Sequence, residues 1–214
     1  MAVRIDGKAL AAQVKARVRE EAAKLPRQPG LAVILVGEDP ASKVYVNGKE
    51  KDCTECGIQS FSHRLPAETS QEELLALVRE LNADRLVDGI LCQLPLPKEL
   101  DEEAVINAIA PDKDVDCFHP FNVGRMSIGE PVFLPCTPAG VMEMLRAYDI
   151  PVRGKNCVVL GRSNIVGKPM AMLLTQADGT VTVCHSKTER LEEFTRQADI
   201  LVSAIGKTRF VTAD

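Results

Sequence analysis

The stretch Gly161–Pro169 combines glycine, basic and hydroxyl residues in a spacing that suits an anion. It follows an apolar run, Cys157–Leu160, typical of a buried strand, and leads into a helical segment, Pro169–Gln176. Glycine at 161 permits a sharp turn at the strand end. Glycine at 167 permits close packing of the helix on the sheet, with its first N–H groups directed at a phosphate. The order of strand, glycine turn and helix therefore predicts a dinucleotide site.

Ser163 stands where the usual pattern has a glycine, so the segment alone also fits an ordinary tight connection between a strand and a helix. The next predicted strand, Thr180–Cys184, ends in His185–Thr188, where such folds place a ribose-binding residue. An NAD site usually has an acid there, but this chain has none before Glu189. It offers Ser186, a lysine and the arginine of the first turn, and these donors favour the 2′-phosphate of NADP.

Tyr45 and Lys49 are four residues apart in a predicted helix, residues 41–55, so they share a face and can reach one ligand. A lysine in that position can carry protons in acid–base catalysis. The same spacing also fits a solvated lysine above a half-buried tyrosine. Tyr-x-x-x-Lys is the catalytic pair of short-chain dehydrogenases as well, but there it follows the glycine turn, and here it precedes it.

Two more polar segments lie near predicted strand ends. Gln93–Pro97 lies at the carboxyl end of the predicted strand 89–94, the edge at which open α/β sheets bind ligands. Its amide can orient a neighbouring lysine or a substrate carbonyl, or it can merely cap the strand. Asp112–Asp116 carries three carboxylates in five positions. Such a run is usually a solvated loop, so we expect only one of the three to be functional.

Cysteine and histidine predict no metal or redox site. The seven cysteines are an odd number, and several lie in apolar strand segments, as expected for core residues in a reducing compartment. Cys53 and Cys56 form a single C-x-x-C, without a second such pair or histidines at ligand spacing. His63, His119 and His185 are far apart in the sequence. We therefore expect no metal.

Composition argues against several classes of partner. With 214 residues, of which 45% are hydrophobic, the chain is typical of a soluble globular protein of one large or two modest domains. A net charge of −4 argues against a general nucleic-acid or membrane-surface binder. No apolar run approaches the roughly 18 residues that span a bilayer, and the first residues lack a signal-peptide core. The expected location is the cytoplasm.

Helix and strand patterns alternate in two halves, which implies mainly parallel sheets covered on both faces. The first half predicts a helix through Leu10, Val14 and Val18, strands at 31–36, 58–65 and 89–94, and helices at 41–55 and 70–82, the last with a capping box. Asp116–Pro138 is predicted to be a loop, and Thr137 with Pro138 to begin a connecting helix over 139–147. Only two clear strands follow, so we expect this second sheet to be incomplete.

Together and in this order, the motifs resemble the bifunctional methylenetetrahydrofolate dehydrogenase/cyclohydrolase family. The resemblance covers essentially the whole chain and is carried by Ile5–Lys8, Val36–Gly37, Ser42, Tyr45–Val46, Lys49, Gln93–Pro97, Lys113–Asp116, Pro135–Pro138, Gly161–Ser163, Val166–Pro169 and Cys184–Ser186. It implies two α/β domains flanking a cleft. Residues 1–118 would form the catalytic, folate-binding domain, and residues 119–214 a connecting helix and a Rossmann-type NADP-binding domain.

The resemblance also implies roles for individual residues. Lys49 is similar to the lysine that assists proton transfer in the cyclohydrolase step, and Gln93 resembles the amide that holds it. Tyr45 resembles the ring on which the aminobenzoyl group of folate stacks, and Asp116 the carboxylate that binds two N–H donors of the pterin. The implied substrate contacts are Tyr45, Lys49, Gln93, Leu94, Pro95 and Asp116. The implied NADP contacts are Gly161, Arg162, Ser163, Ile165, Val166, His185 and Ser186, with Arg162 and Ser186 at the 2′-phosphate.

The function implied by the resemblance is oxidation of 5,10-methylenetetrahydrofolate to 5,10-methenyltetrahydrofolate with NADP, followed by hydrolysis to 10-formyltetrahydrofolate. These are reactions of one-carbon metabolism, which serves purine, methionine and histidine biosynthesis. The resemblance further implies a cytoplasmic homodimer whose partners are folate derivatives rather than nucleic acid or membrane.

Two departures from the family pattern are visible. Cys117 stands where the family usually has glycine, and we expect its side chain to disfavour a positive φ and to crowd the pterin site. The family's later Pro-Gly-Gly-Val-Gly-Pro-Met-Thr loop and terminal helix do not occur before Asp214, so the NADP-binding domain is expected to be truncated at its C-terminus. The alternative function is therefore a non-catalytic NADP- or folate-binding remnant. A sugar or amino-acid dehydrogenase of similar design would leave Tyr45, Lys49 and Gln93–Pro97 unexplained.

Overall fold

The computed structural model describes residues 2–212, which form eight helices and six strands. Contacts divide the chain into two compact units. One unit is Asp6–Asn122, and the other is the chain from Val123 onward with the short segment before Asp6. Each unit is an α/β structure around its own three-stranded parallel sheet, as the alternating pattern predicted.

The first unit alternates helices and strands so that its strands end at one edge. In chain order it contains α1 (Gly7–Ala22), β1 (Gly30–Val36), α2 (Pro40–Cys56), β2 (Gln59–Leu65), α3 (Gln71–Ala83), β3 (Gly89–Cys92) and α4 (Glu102–Ala108). The strand order is β2-β1-β3, and both neighbours run parallel to β1, with Val33 opposite Ser62 and Leu91. The loops that follow the three strands therefore leave the sheet on the same side.

The central strand β1 is buried on both faces because its alternate side chains pack against different helices. Ala32, Ile34 and Val36 belong to a core with residues of α3, whereas Val33 and Leu35 belong to a second core with Val46 of α2. Such a strand reads as a continuous apolar run instead of an alternating pattern. The helix α3 begins with the predicted capping box, in which Ser70 and Glu73 bond to each other's backbone N–H.

The second unit repeats the arrangement with shorter strands. The chain continues with α5 (Pro120–Ser127), α6 (Cys136–Ala147), β4 (Asn156–Leu160), α7 (Gly167–Gln176), β5 (Thr180–Cys184), α8 (Leu191–Arg196) and β6 (Ile200–Ser203). The sheet order is β5-β4-β6, all parallel, with Val158 opposite Thr182 and Leu201. The sequence pattern predicted only two clear strands for this sheet. The described residues contain a third strand, β6, which pairs with β4.

Two predictions about local structure were wrong, and one helix was missed. The segment Asp116–Pro138 is not all loop, since it contains α5, and α4 was not predicted. Both helices are short, seven and eight residues, which is less than the window over which a repeating hydrophobic pattern can be recognised. The helix α6 begins at Cys136, not after a Thr137 cap. Its N-cap position is Pro135, which makes no side-chain capping bond. Among residues 2–212, no helix is both long and apolar enough to cross a membrane.

Gly161 and Gly167 allow β4 and α7 to meet closely. Gly161 has a φ of +115°, and a Cβ atom there would lie 2.6 Å from the carbonyl oxygen of Ala204. A Cβ atom at Gly167 would lie 2.3 Å from the carbonyl oxygen of Gly161. The first turn of α7 therefore packs directly on the backbone at the end of β4, as the spacing of these glycines predicted.

We expect Gly167→Ala to lower the free energy of unfolding by about 2–3 kcal/mol, because the added methyl group must displace backbone atoms. Gly140→Ala is the matched control, since Gly140 lies in α6 and a Cβ there meets no atom within 4 Å. That control should raise stability by roughly 0.5–1 kcal/mol, as alanine is the better helix former. Urea unfolding of both variants measures the difference, and equal stabilities would contradict the packing described here.

Candidate active site

Lys49 and Gln93 meet at the carboxyl edge of the first sheet. Lys49 lies on α2, and Gln93 is the first residue after β3. The Lys49 Nζ donates to Gln93 Oε1 at 3.0 Å. The amide is fixed from two sides, because Gln93 Nε2 donates to the carbonyl oxygen of Leu94 at 2.7 Å and the Gln93 N–H donates to Ile34 at 2.8 Å. With its NH₂ group turned to Leu94, the amide must present its oxygen to the lysine.

Tyr45 lies one helical turn before Lys49 on α2, and its side chain is 65% exposed. An exposed ring of this kind offers a free aromatic face for stacking. Leu94 packs against the core beneath the edge, while Pro95 is exposed and joined to Leu94 by a cis peptide bond. The predicted substrate residues Tyr45, Lys49, Gln93, Leu94 and Pro95 thus belong to the same unit of the fold.

The three carboxylates of the acidic segment have different surroundings. Asp112 is exposed, Asp114 is buried and Asp116 is half-buried. Burial raises the pKa of the Asp116 carboxyl from 3.8 to about 6, the Lys49 charge opposes this shift, and the Asp114 charge adds to it. Asp116 is therefore close enough to Lys49 for their charges to interact, and it is a carboxyl that can change protonation just below neutral pH.

Cys117 contradicts one sequence expectation. Its side chain was expected to disfavour a positive φ, yet it adopts a φ of +57° with only 1% of the residue exposed. The neighbouring Cys92, at the end of β3, is also buried, and burial with the negative charges of Asp116 and Glu102 raises the pKa of its thiol to about 12. Both thiols are therefore neutral packing groups beside the site. Within the acidic segment, sequence analysis did not single out Asp114, whose buried contacts hold this loop.

A cavity of about 440 Å³ lies at the carboxyl ends of the second sheet. It is lined by Leu160, Cys184, His185, Ser186, Thr188, Leu191, Ile205, Lys207 and Phe210. Of the predicted NADP contacts, His185 and Ser186 line it directly. Thr188, Lys207 and Phe210 also line it and were not among the predicted NADP contacts. Thr188 belongs to the segment His185–Thr188 that the sequence indicated as a whole, but no pattern in the sequence marked the other two.

The remaining predicted cofactor residues form the turn between β4 and α7. Ser163 Oγ accepts hydrogen bonds from the N–H groups of Val166 and Gly167, both at 3.2 Å. These two helix-start donors were expected to face an anion, but in this structure they are satisfied by the serine. Arg162 and Ile165 are exposed on the same turn.

A second turn follows β5. The His185 N–H donates to Thr188 Oγ1 at 2.8 Å, and the Thr188 N–H donates back to the His185 carbonyl oxygen at 2.8 Å. Ser186 and Lys187 are exposed at the tip of this turn. Leu160 pairs with Cys184 in the sheet, so Arg162 and Ser186 each lie two residues beyond a paired position. The two turns therefore project side-chain donors from neighbouring strand ends.

The C-x-x-C pair lies on α2, where Cys53 is one helical turn beyond Lys49, and the lysine charge opposes the rise in the pKa of the Cys53 thiol. Cys53 and Cys56 are buried free thiols on α2, and burial is the main cause that raises the pKa of each. Within the part of the chain that the structure describes, no group of three or more His, Cys, Asp or Glu side chains is arranged to hold a metal ion.

Asp116→Asn should stabilise the protein in a pH-dependent manner. Because its pKa is higher in the folded state than the ordinary 3.8, the Asp116 carboxyl contributes a loss of stability to the wild type as the pH rises from about 4 to about 6. The variant lacks this loss, so above pH 6 its free energy of unfolding should exceed that of the wild type by on the order of 1–3 kcal/mol. Denaturant unfolding between pH 4 and 8 measures it. Asp112→Asn, exposed in the same segment, is the control, and a pH-independent difference for Asp116→Asn would contradict the assignment.

Comparison with known proteins finds one family model in each half of the chain. Residues 5–116 match the family model described as tetrahydrofolate dehydrogenase/cyclohydrolase, catalytic domain, and residues 135–214 match its NAD(P)-binding domain. The bifunctional protein FolD of Ruminiclostridium cellulolyticum is 60% identical over 210 residues, which cover 97% of this chain and 74% of that protein.

Solved structures give the same result. The FolD methylenetetrahydrofolate dehydrogenase/cyclohydrolase of Campylobacter jejuni aligns with a TM-score of 0.94 and 49% identity, covering 97% of this chain and 75% of that one. The Trypanosoma brucei enzyme, complexed with NADP cofactor and inhibitor, aligns with a TM-score of 0.92 and 42% identity, covering 96% and 72%. This chain belongs to the tetrahydrofolate dehydrogenase/cyclohydrolase family.

Proposed function

We propose that the edge formed by Tyr45, Lys49, Gln93 and Asp116 is the folate site of a bifunctional enzyme. The chain is an NADP-dependent methylenetetrahydrofolate dehydrogenase and a methenyltetrahydrofolate cyclohydrolase. The observation that carries the assignment of the site is the bond between Lys49 and Gln93, with the Asp116 carboxyl close enough to interact with the lysine. It supports the proposal that a proton carrier, a group that orients it and an acceptor for a polar ring lie at one sheet edge.

Substrate binding follows from the surroundings of each group. The exposed ring of Tyr45 stacks on the aminobenzoyl part of folate. Ionised Asp116 has two oxygens, which accept two N–H donors from the pterin edge. Leu94 and Pro95 supply apolar surface between these polar contacts. The pKa of about 6 for Asp116 leaves the carboxyl mostly ionised at pH 7, as this contact requires.

The dehydrogenase step needs little acid–base chemistry from the protein. NADP, when bound, supplies the acceptor for the hydride that leaves the methylene carbon of the substrate. The nitrogen lone pair of the folate stabilises the resulting cation, so the residues at this edge act by holding the substrate in position. Tyr45 and Asp116 fix the two ends of the pteroyl group, which limits the motion of the carbon between them.

The cyclohydrolase step requires proton transfers, for which Lys49 is suited. Water adds to the methenyl carbon and must lose a proton, and the ring carbon–nitrogen bond then breaks as that nitrogen gains one. Lys49 carries these protons, and Gln93 holds its Nζ in place through the 3.0 Å bond. Since Gln93 is itself fixed by Leu94 and Ile34, the lysine has a defined position instead of a solvated range of positions.

The second unit has groups that fit NADP. Gly161 and Gly167 keep the turn free of side chains at the two points where a Cβ would collide with backbone. Arg162 and Ser186 project from neighbouring strand ends and provide a charged and a neutral donor for the 2′-phosphate. The cavity lined by His185 and Ser186 accommodates the adjoining part of the nucleotide, and Ser163, Ile165 and Val166 lie on the intervening turn.

Residues 1–118 are proposed as the folate-binding, catalytic domain and residues 119–214 as the connecting helix and NADP-binding domain. We further assign the protein to a homodimer of the cytoplasm acting in one-carbon metabolism that serves purine, methionine and histidine biosynthesis. The alternative of a non-catalytic remnant is not favoured, because the relatives at 58–60% identity over 97% of this chain are named as bifunctional proteins.

Purified protein should reduce NADP when given 5,10-methylenetetrahydrofolate and should hydrolyse the 5,10-methenyl compound. Lys49→Met should lower the hydrolysis rate by at least about 100-fold, because the proton carrier is lost. Lys51→Met on the same helix is the control, since Lys51 is exposed, and it should keep both rates. Absorbance assays follow both reactions. The proposal fails if wild-type protein lacks both activities, and the role of Lys49 fails if hydrolysis survives in Lys49→Met.

Arg162→Ala should weaken NADP binding by about 10- to 100-fold and NAD binding far less, since only NADP has the 2′-phosphate that the guanidinium contacts. Arg153→Ala is the control, because Arg153 lies before the amino end of β4, is exposed and pairs with Asp178. Calorimetry or fluorescence titration gives both dissociation constants. Equal losses for the two nucleotides would rule out the 2′-phosphate contact.

A further inference from the structure

Asp114 is a buried carboxylate that the proposed reaction does not use. It is only 3% exposed, and both of its oxygens are occupied by N–H donors. Oδ1 accepts from the Phe118 N–H at 3.2 Å, and Oδ2 accepts from the His119 N–H at 2.9 Å and from Asn122 Nδ2 at 2.9 Å. Asn122 is itself fully buried, and its Nδ2 also donates to Pro111 at 2.7 Å. The carboxylate therefore joins both ends of the segment that contains Asp116.

The segment is also anchored on the side that precedes Asp114. The Ile90 N–H of β3 donates to the Lys113 carbonyl oxygen at 2.7 Å, and an isolated parallel bridge joins Ile90 to Asp114. The Lys113 Nζ donates to the carbonyl oxygens of Leu81 and Asp84 at 3.0 and 2.7 Å. Up to residue 114, then, the chain is fixed on the sheet and on the end of α3.

Beyond this anchor the backbone turns back on itself. The Cys117 N–H donates to the Asp114 carbonyl oxygen at 3.2 Å, and Cys117 has the left-handed φ of +57°. Non-glycine residues rarely adopt that conformation unless their surroundings impose it. Here the Asp114 side chain binds the two N–H groups immediately after Cys117, so it closes the turn. Asp116 lies between the sheet anchor and this closure.

We propose that Asp114 is a positioning residue for folate binding: it holds the turn in the conformation that presents Asp116 to the pterin beside Lys49. The proposal rests on the proposed function, since it needs Asp116 to contact the substrate. Asp114 is too enclosed to touch folate, and it acts on affinity through the backbone of its own turn. The sequence alone did not indicate a positioning role for Asp114.

Asp114→Asn tests the proposal, because it keeps the size of the side chain but exchanges one acceptor oxygen for an NH₂ group. At least one N–H donor of the turn then loses its partner. The KM for 5,10-methylenetetrahydrofolate should rise by about 10-fold or more, while kcat and the KM for NADP change less than about threefold. A purely structural role would instead lower the amount of active enzyme and leave the KM of the folded fraction unchanged.

The pH profile provides a second measurement. Asp116 is faced by Lys49 from α2, by Cys92 from β3 and by Asp114 from its own segment, and of these the Asp114 charge raises its pKa. The acid limb of kcat/KM for the folate should therefore move to lower pH in Asp114→Asn. Asp88→Asn is the matched control. Asp88 accepts from the Gly30 N–H at 2.8 Å and pairs with Arg27 at the opposite, amino edge of the same sheet. It should lower stability and leave the folate KM and the pH profile unchanged.

The double variant Asp114→Asn/Cys117→Gly covers the case in which the single variant does not fold. Glycine adopts the left-handed conformation without a side-chain penalty, so the double variant should recover folding and part of the folate affinity, while its acid limb stays shifted. If folded Asp114→Asn keeps the wild-type KM for folate, the positioning role of Asp114 is overturned. If the single variant does not fold, a wild-type folate KM in the double variant overturns it. Neither result affects the proposed function. Wild-type protein without either activity overturns the proposed function and this inference with it.

Discussion

The parallel pairing of β2 and β3 with β1 is the constraint on which the candidate folate site depends. Parallel strands in register end together, so the residues that follow them meet at one edge. Gln93 follows β3 directly, and its N–H continues the pairing to Ile34 of β1. The helix α2, which carries Tyr45 and Lys49, packs on the same central strand through Val46. The burial of β1 on both faces thus fixes where the lysine and the amide meet.

Much of this arrangement could be predicted from the sequence, because local signals coincide with it. The runs Leu31–Val36 and Cys157–Leu160 are apolar and end at glycines, so both central strands could be located within about one residue. The Ser70 box marked the start of α3 because capping is a contact between near neighbours. The i, i+4 spacing correctly placed Tyr45 and Lys49 on one helix. These successes all rest on interactions within a few residues along the chain.

The rest depended on contacts distant in sequence or on very short elements. Among Asp112, Asp114 and Asp116, nothing local distinguishes an exposed, a buried and a half-buried carboxylate. The difference arises because Ile90 forms a bridge with Asp114 at the sheet, and the buried Asn122 side chain donates to the Asp114 carboxylate. Cys117 is the clearest example. A left-handed cysteine costs on the order of 1–2 kcal/mol, but hydrogen bonds to a charged acceptor contribute about 1.5–3 kcal/mol each, so the bonds to Asp114 outweigh the strain.

Ser163 shows how the nucleotide turn works without a third glycine. Its hydroxyl accepts from the N–H groups of Val166 and Gly167, so two of the donors left unpaired at a helix start are satisfied within the protein. Fewer backbone N–H groups then remain for a phosphate, and the turn depends more on side chains. Arg162 and Ser186 are the donors that the paired ends of β4 and β5 bring side by side. We propose that these side chains contact the 2′-phosphate of NADP, so that side-chain donors replace the backbone donors that Ser163 occupies.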